Sequence, residues 1–359
     1  MGCYNMSIVK IFKNVRTGKY KSFYFSNVNK NQRLLHEDEG KEFTYFRDKL
    51  TGFVDKYILD RVLYVPCGNC IGCALDHAKD WQNRLVMESI YSHCNYFLTL
   101  TYNDENLPLD LQLKKDDIKK FIKDLRNYYK NKFGYDGIRY YVGAEYGSKS
   151  ARPHYHIILF NCPLTAEDFN FLKIKFDGFK FINVGKSISG DKIYSVSLFT
   201  ELWKKGFNVV GSFSKASAGY VARYVNKKKL LTRDEKKELR YSGIQPEFNL
   251  MSKGIGKQFL LDNFNKILDN NLSIYLNGDL ISVDRYFYKI VENFGTENQK
   301  EILAKCKVSR QIMAGALEAN KARLYDDDKN LMFNDLQNKK LNQIKCLKRK
   351  FWQCKNYFI

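Results

Sequence analysis

Two strand-forming runs separated by a short turn constrain the fold of this chain more than any other feature of its sequence. The runs span residues 138–145 and 154–160, and both are rich in residues that favour β-structure. The Gly147-Ser148 pair turns the chain between them. The two runs are therefore expected to form an antiparallel hairpin.

The segments before and after this hairpin predict the rest of the sheet and the helices that pack on it. Apolar residues recur at helical spacing over 113–133, which predicts an amphipathic helix. Further strands are predicted at 97–102 and 207–213, and further helices at 198–205 and 214–229. This order of elements predicts an α+β fold with a central antiparallel sheet and helices packed on it.

The composition changes along the chain and predicts four regions. Residues 1–62 alternate basic and aromatic side chains and are expected to form an N-terminal extension of short strands and loops, whereas residues 63–94 hold a cysteine-containing segment and a helix. Residues 95–230 carry the predicted sheet. Residues 231–359 are basic and mostly helical, with a hairpin expected at Asn277-Gly278.

The charge of the chain points to a polyanionic partner. Its 60 Lys and Arg residues outnumber its 39 Asp and Glu residues and give a net charge of +21, an excess that attracts nucleic acid. The 25 Tyr and 26 Phe residues offer faces on which bases could stack. A solubility charge, or a Lys-rich composition drawn from an AT-rich genome, is the alternative reading of the same excess.

The sequence favours a chain that works in a reducing cytoplasm. No apolar run approaches the roughly 20 residues of a membrane span, and the N-terminus lacks the apolar core of a signal peptide, so no membrane partner is expected. The nine cysteines are an odd number in a chain too long to need disulfide bonds.

One candidate metal centre lies on the predicted hairpin. Alternate side chains of a strand point to the same side, so His154 and His156 share a face. Alone they could be two half-exposed histidines. Glu145 lies nine residues before His154 on the neighbouring strand, where it can sit across from both imidazoles. Two imidazoles and one carboxylate suit Mn²⁺ or Mg²⁺, and Zn²⁺ is chemically possible.

Two tyrosines mark the helix predicted at 214–229, which Ser214 or Ser217 could cap. Tyr220 and Tyr224 are four residues apart and therefore lie on one helical face. They could be packing residues of an amphipathic helix. They could also be phenol nucleophiles, in which case the lysines one turn further, Lys227 and Lys228, would help a group whose pKa is ordinarily about 10.

A cysteine-rich turn precedes the first helix. Cys67, Cys70 and Cys73 have the spacing of metal ligands, which makes a structural Zn²⁺ site possible. The fourth ligand could be His77, His93 or Cys94. The alternative is a group of reduced thiols on a glycine-containing turn, because no second pair of cysteines completes the site.

These motifs resemble, in their order, those of the HUH (His-hydrophobe-His) rolling-circle replication initiators. The resemblance is closest to the initiators of microviruses, especially the gokushovirus branch. Residues 97–102 match the first family motif, 152–160 the metal motif, 142–147 the segment with the third ligand, and 220–228 the two-tyrosine motif. Tyr155 departs from the pattern, since the family has an aliphatic residue there. Residues 67–73 and 248–256 also look like family features.

The resemblance implies a function and a set of partners. A tyrosine would attack the scissile phosphate of single-stranded origin DNA and keep the 5′-phosphate, and the second tyrosine would act in the next round. Gly185-Lys186-Ser187 ends like a Walker A motif, but position 180 is Lys where that motif needs Gly. A host helicase would then unwind the duplex and a host polymerase would extend the 3′ end, in the cytoplasm of the bacterial host.

Two other classes of protein share part of this pattern. A non-catalytic DNA-binding or packaging protein would explain the charge and the aromatic residues. A relaxase or transposase of the HUH superfamily would explain the metal ligands. Base contacts that select the origin are expected on the sheet near Arg139 and Tyr141.

Overall fold

Antiparallel β-sheet is the framework of both units into which the chain divides, one up to His77 and the other from Ala78 onward. The structure is a computed structural model. It describes residues 7–25, 43–47, 54–65, 68, 71–147, 151–187, 190–224, 241, 243–323, 338, 341, 342 and 345.

The first unit contains a four-stranded sheet in the order β2-β1-β4-β3. Its strands are β1 (Ser7–Asn14), β2 (Tyr20–Phe25), β3 (Phe43–Arg47) and β4 (Val54–Val65). Asp55 of β4 holds the turn after β1, because its carboxylate accepts hydrogen bonds from the side chains of Asn14 and Arg16. Helix α1 (Ile71–Ile90) begins in this unit and continues into the second.

The second unit contains a seven-stranded antiparallel sheet in the order β11-β6-β7-β5-β10-β9-β8. Its strands are β5 (Tyr96–Tyr102), β6 (Arg139–Tyr146), β7 (Pro153–Phe160), β8 (Phe181–Lys186), β9 (Lys192–Val196), β10 (Gly206–Ser212) and β11 (Phe248–Met251). The helices among these strands are α2 (Lys115–Phe133), α3 (Ala166–Phe171), α4 (Ser197–Trp203) and α5 (Lys215–Tyr224). The predicted α+β fold with a central antiparallel sheet is confirmed.

Helices cover both sides of this sheet because its strands are apolar on both sides. On the side that we call the α2 face, Tyr155 and Ile157 of β7 pack with α2 and α4. On the opposite side, the α5 face, Ile158 and Phe160 of the same strand pack with Val221 of α5 and with α1. The apolar stripe predicted for 113–133 is the buried side of α2: Ile118, Phe121, Ile122, Leu125 and Tyr129.

The chain after β11 is mainly helical over the described residues, as predicted. It contains α6 (Lys257–Asp262), α7 (Phe264–Asp269), α8 (Arg285–Phe294) and α9 (Glu297–Arg323). The hairpin predicted at Asn277-Gly278 is also confirmed, with β12 (Ser273–Leu276) and β13 (Asp279–Ser282) pairing Tyr275 with Leu280. Both turn residues have positive φ, as a two-residue hairpin loop requires.

Tyr155, the departure from the aliphatic pattern, is part of a buried polar network on the α2 face. Its hydroxyl accepts a hydrogen bond from the Lys114 amide, donates to the Lys114 carbonyl, and lies 2.9 Å from the Tyr102 hydroxyl. Tyr102 in turn donates to Asp117. Burial raises the pKa of Tyr155 to about 12. The residue between the two histidines therefore ties β7 to the start of α2.

We expect Tyr155→Phe to lower the free energy of unfolding by about 1–2 kcal/mol, because the partly buried Lys114 amide loses its acceptor. Tyr275→Phe is the matched control, since that tyrosine is 69% exposed, and it should change stability by less than about 0.5 kcal/mol. Urea unfolding followed by circular dichroism measures both. Equal midpoints for the two variants would contradict the role given to the network.

Candidate metal centre and tyrosine helix

The pairing of three neighbouring strands positions the candidate ligands. In the ladder of β6 with β7, Glu145 pairs with His154, and Gly143 pairs with His156. In the ladder of β5 with β7, Thr99 pairs with His156. Paired residues of an antiparallel ladder point to the same side of the sheet, so all of these side chains lie on the α5 face.

The three predicted metal ligands converge on one point. The Nε2 atoms of His154 and His156 each lie 2.9 Å from Oε1 of Glu145, and the three ligand atoms are within 4.8 Å of one another. Glu145 and His156 are buried, and the His154 side chain is 17% exposed, so the cluster opens toward solvent at His154. The structure thus brings together all three residues that the sequence singled out.

This cluster fits a divalent cation. A metal with bonds of about 2.1 Å in octahedral geometry holds neighbouring ligand atoms about 3 Å apart, which matches the two distances of 2.9 Å. Both imidazoles direct a nitrogen at one buried carboxylate oxygen. A bound cation satisfies all three groups at once, since each has a lone pair to donate.

The outer nitrogens of both histidines have partners that support this arrangement. Nδ1 of His154 lies 3.1 Å from the carbonyl oxygen of Arg152, which can only accept, so Nδ1 carries the proton and Nε2 is left for a metal. Nδ1 of His156 lies 3.0 Å from the Thr99 hydroxyl. If the Thr99 hydroxyl accepts from Nδ1, His156 has the same tautomer as His154, with its Nε2 unprotonated. Such partners fix ring orientation at metal sites.

Helix α5 places Tyr220 against the cluster. The Tyr220 hydroxyl lies 3.4 Å from Nε2 of His156 and 3.5 Å from Oε1 of Glu145. Its ring packs edge-on against His156 and Phe97, and the side chain is only 5% exposed. The predicted nucleophile therefore lies at the metal centre.

Glycine makes this close approach possible. A Cβ at Gly143 would lie 3.0 Å from a methyl group of Val221, so a larger residue would push α5 away from the sheet. The start of α5 is also fixed, since the Ser217 amide donates to Ser214 Oγ in the predicted cap. The Gln82 side chain of α1 donates to the Lys215 carbonyl.

Several predicted site residues lie outside the described residues. Lys227 and Lys228 are among them, and Tyr224 is the last described residue of α5, whose side chain is not described. Of the cysteines, Cys67 and Cys70 are outside, while Cys73 is buried in the first turn of α1. The zinc site thus stays a prediction.

Two of the proposed fourth ligands for zinc have other surroundings. His93 stacks on Phe171 with ring centroids 3.7 Å apart. Burial, followed by the nearby Asp168 carboxylate, raises the pKa of Cys94 to about 12, which disfavours the thiolate that zinc requires. Within the part of the chain that the structure describes, Glu145, His154 and His156 form the group of three that could share an ion.

The expectation of base contacts near Arg139 and Tyr141 was wrong for the tyrosine, which is fully buried. Arg139 forms an ion pair with Glu88 and donates to the Lys253 carbonyl. Glu88 also accepts from the Gly256 amide. The 248–256 segment therefore fastens the edge of the sheet to α1, a structural task that the motif alone did not reveal.

Sequence reasoning missed the task of Thr99. The strand 97–102 was predicted simply as a strand of the sheet, and its alternation of Thr with Leu did indicate that Thr99 faces the side opposite the leucines. Which histidine it would meet depends on the register between β5 and β7, a pairing of segments distant in sequence that neither strand reveals by itself.

The fold and the cluster define an α+β protein in which three residues that could hold a metal ion lie next to a buried tyrosine. The family model for the replication-associated protein ORF2/G2P matches residues 95–229. Among curated proteins, the chain is 31% identical over 343 residues to replication-associated protein ORF2 of Spiroplasma virus 4, covering 88% of this chain and 95% of that protein. No solved structure matches the chain at a significant level.

Two further relatives carry similar descriptions. Replication-associated protein VP4 of Bdellovibrio phage phiMH2K is 29% identical, with 73% of this chain and 78% of that protein covered. Replication-associated protein ORF4 of Chlamydia phage 1 is 27% identical, with 79% and 68% covered. The chain belongs to the family of microvirus replication-associated proteins, which confirms the predicted resemblance. None of the helices within the described residues is long and apolar enough to cross a membrane.

We expect Thr99→Val to weaken Mn²⁺ binding by about 10-fold or more, because His156 loses the partner that fixes its ring. Thr99→Ser keeps a hydroxyl on the same strand and should bind within about threefold of the unsubstituted protein. Calorimetric titration of each metal-stripped protein gives the affinities. If the valine variant binds as tightly as the serine variant, the hydrogen bond does not organise the site.

Proposed function

We propose that this chain initiates phage DNA replication by nicking and rejoining single-stranded origin DNA through a tyrosine, in a rolling-circle mode. One observation carries the proposal: the Tyr220 hydroxyl lies within 3.5 Å of two metal-ligand atoms. A phosphate bound at that centre would meet a nucleophile without any large movement of the helix. The names of the relatives support a task in replication.

Glu145, His154 and His156 would hold the cation, and their mixed nitrogen and oxygen atoms suit Mn²⁺ or Mg²⁺. Such an ion, when bound, polarises a phosphoryl oxygen and offsets the charge that develops on it. The rigid β6–β7–β5 ladders hold the three side chains in place. The opening at His154 is where the DNA backbone would enter.

The reaction proposed for Tyr220 is an in-line displacement at phosphorus. A bond forms between the phenol oxygen and the scissile phosphorus, and the bond from phosphorus to the 3′-oxygen breaks. The phenol proton is lost and the leaving oxygen gains a proton, so the products are a 5′-phosphotyrosine and a free 3′-hydroxyl. A phenol with an ordinary pKa of about 10 needs electrostatic help for this step, and we propose that Lys227 and Lys228 contribute it.

Tyr224 is proposed as the second nucleophile, since it follows Tyr220 by about one helical turn in α5. It would cleave the regenerated origin, and the released 3′-hydroxyl would then attack the first phosphotyrosine and close the old strand into a circle. The energy of the phosphodiester bond is kept in the tyrosine linkage, so the closing step needs no nucleotide cofactor.

A rolling-circle cycle also needs a helicase and a polymerase, and we propose that the host supplies both. The sequence of this chain has no Walker A motif, so a host helicase would open the duplex and a host polymerase would extend the 3′ end. Both would meet the protein in the cytoplasm of the bacterial host. A non-catalytic DNA-binding or packaging protein would have no use for a buried tyrosine at a metal cluster.

We expect Tyr220→Phe plus Tyr224→Phe to abolish the covalent protein–DNA adduct, with a rate at least about a thousandfold below that of the unsubstituted protein. Each single variant should retain at most one cleavage and should fail to close circles. The substrates are overlapping single-stranded oligonucleotides that cover the genome encoding this chain, with Mn²⁺ present. A label on the 3′ end reports the adduct on a denaturing gel.

Tyr275→Phe serves as the control, because it removes an exposed hydroxyl on the β12–β13 hairpin. Glu145→Gln should also lose cleavage while the protein still binds DNA. An adduct of normal yield in the double variant would reject a tyrosine nucleophile from α5. Cleavage by Glu145→Gln that is unaffected by chelators would reject the metal centre.

A further inference from the structure

One aromatic side chain on the α5 face of the sheet is open to solvent. Phe207 of β10 is 64% exposed, although β10 is an inner strand with β5 on one side and β9 on the other. Within the residues that the structure describes, this side chain on an inner strand is therefore not covered by a helix. Single exposed apolar residues are ordinary on protein surfaces. A functional role for Phe207 therefore has to be argued from its position on the sheet.

Phe207 belongs to the same cross-strand row as two of the metal ligands. It pairs with Thr101, Thr101 pairs with His154, and His154 pairs with Glu145. All four side chains therefore point to the α5 face. With neighbouring strands about 4.8 Å apart, the backbone of Phe207 lies about 10 Å from that of His154, on the side where the metal cluster opens to solvent.

The exposed surface of the α5 face continues onto the β8–β9 hairpin. Ile182 pairs with Ser195, and Ser195 follows Tyr194, the residue that pairs with Val210 on the α2 face. Alternation therefore puts Ile182 on the α5 face, where its side chain is 55% exposed. Lys180, which precedes Phe181 of β8, is exposed next to Ile182. Lys186 and Lys192 are exposed as well, but they pair with each other, and alternation from Tyr194 puts them on the α2 face.

This combination fits a single strand of nucleic acid. An exposed aromatic ring offers a face to a base, while Lys180 and the net charge of +21 of the chain attract phosphates. A duplex would present phosphates and grooves to the same surface but would not offer unpaired base faces. A protein partner would favour a larger contiguous apolar patch than one ring and one isoleucine.

We propose that Phe207 stacks on a base of the single DNA strand, next to the phosphate that the cation at Glu145, His154 and His156 would bind. This inference rests on the proposed function for the position of that phosphate. Stacking tolerates every base, so Phe207 would hold the strand in place rather than read its sequence. It would orient the nucleotide beside the scissile bond so that its phosphate meets the Tyr220 hydroxyl.

The test is the affinity for a short fluorescein-labelled oligothymidine, measured by fluorescence anisotropy in Ca²⁺ with the background Tyr220→Phe plus Tyr224→Phe, so that no cleavage interferes. Phe207→Ala should raise the Kd about 10-fold, and Phe207→Leu should be nearly as weak, because it keeps apolar area without an aromatic face. Phe207→Trp should bind at least as tightly as Phe. The control Tyr275→Ala removes an equally exposed aromatic far along the chain and should leave the Kd unchanged.

Three further readouts separate stacking from a structural effect. An oligomer of abasic sites, which has phosphates but no bases, should bind equally well to the protein with Phe207 and to Phe207→Ala. The slope of log Kd against log salt should be the same for both, because Phe207 contacts no phosphate. Calorimetric Mn²⁺ affinity should also be unchanged.

An unchanged Kd in Phe207→Ala overturns the inference, and so does a loss that is equal on the abasic oligomer. Either result leaves nicking by Tyr220 standing. The opposite outcome is also possible: the protein with Tyr220 intact forms no adduct with any origin oligonucleotide, while Phe207→Ala still weakens binding. In that case the proposed nicking is wrong, and the proposal that Phe207 stacks on a base stands.

Discussion

The register of the β6–β7–β5 ladders is the constraint on which the rest of this structure depends. A shift by one residue in either ladder would turn Glu145 or Thr99 to the α2 face and separate it from the histidines. The apolar residues between them hold this register, because Tyr155 and Ile157 must reach the core under α2. Core packing on one face thus fixes the position of polar atoms on the other.

Helix α5 is the second component of the site, and its position depends on the β6–β7–β5 ladders. Its contact with the sheet is made where Gly143 lies opposite His156, so the strand pair that carries the ligands also provides the gap for the helix. The gap at Gly143 explains how the buried Tyr220 comes within 3.5 Å of Glu145 and His156. It also shows why the metal ligands and Tyr220 form one packed unit.

The sequence predicted the fold class and the convergence of the three candidate ligands, because their signals are local or alternate with a period of two. Glu145, His154 and His156 follow from strand alternation and one turn, and α2 follows from its apolar stripe. The task of Thr99 depends on a non-local register, and the burial of Tyr141 depends on where α1 packs. The hairpin of β8 and β9 was missed because its apolar residues do not alternate regularly with polar ones and Gly185 interrupts β8, so the two strands carry no clear period of two.

The capped end of α5 has a mechanical consequence for the two tyrosines. Its first turn is held by the serine cap, by Gln82, and by an ion pair between Lys215 and Asp279 of the β12–β13 hairpin. A helix held at one end acts as a lever about that end. At about 1.5 Å per residue, position 220 lies about 7.5 Å from Lys215 and position 224 about 13.5 Å, so a tilt of the helix moves the second tyrosine nearly twice as far as the first.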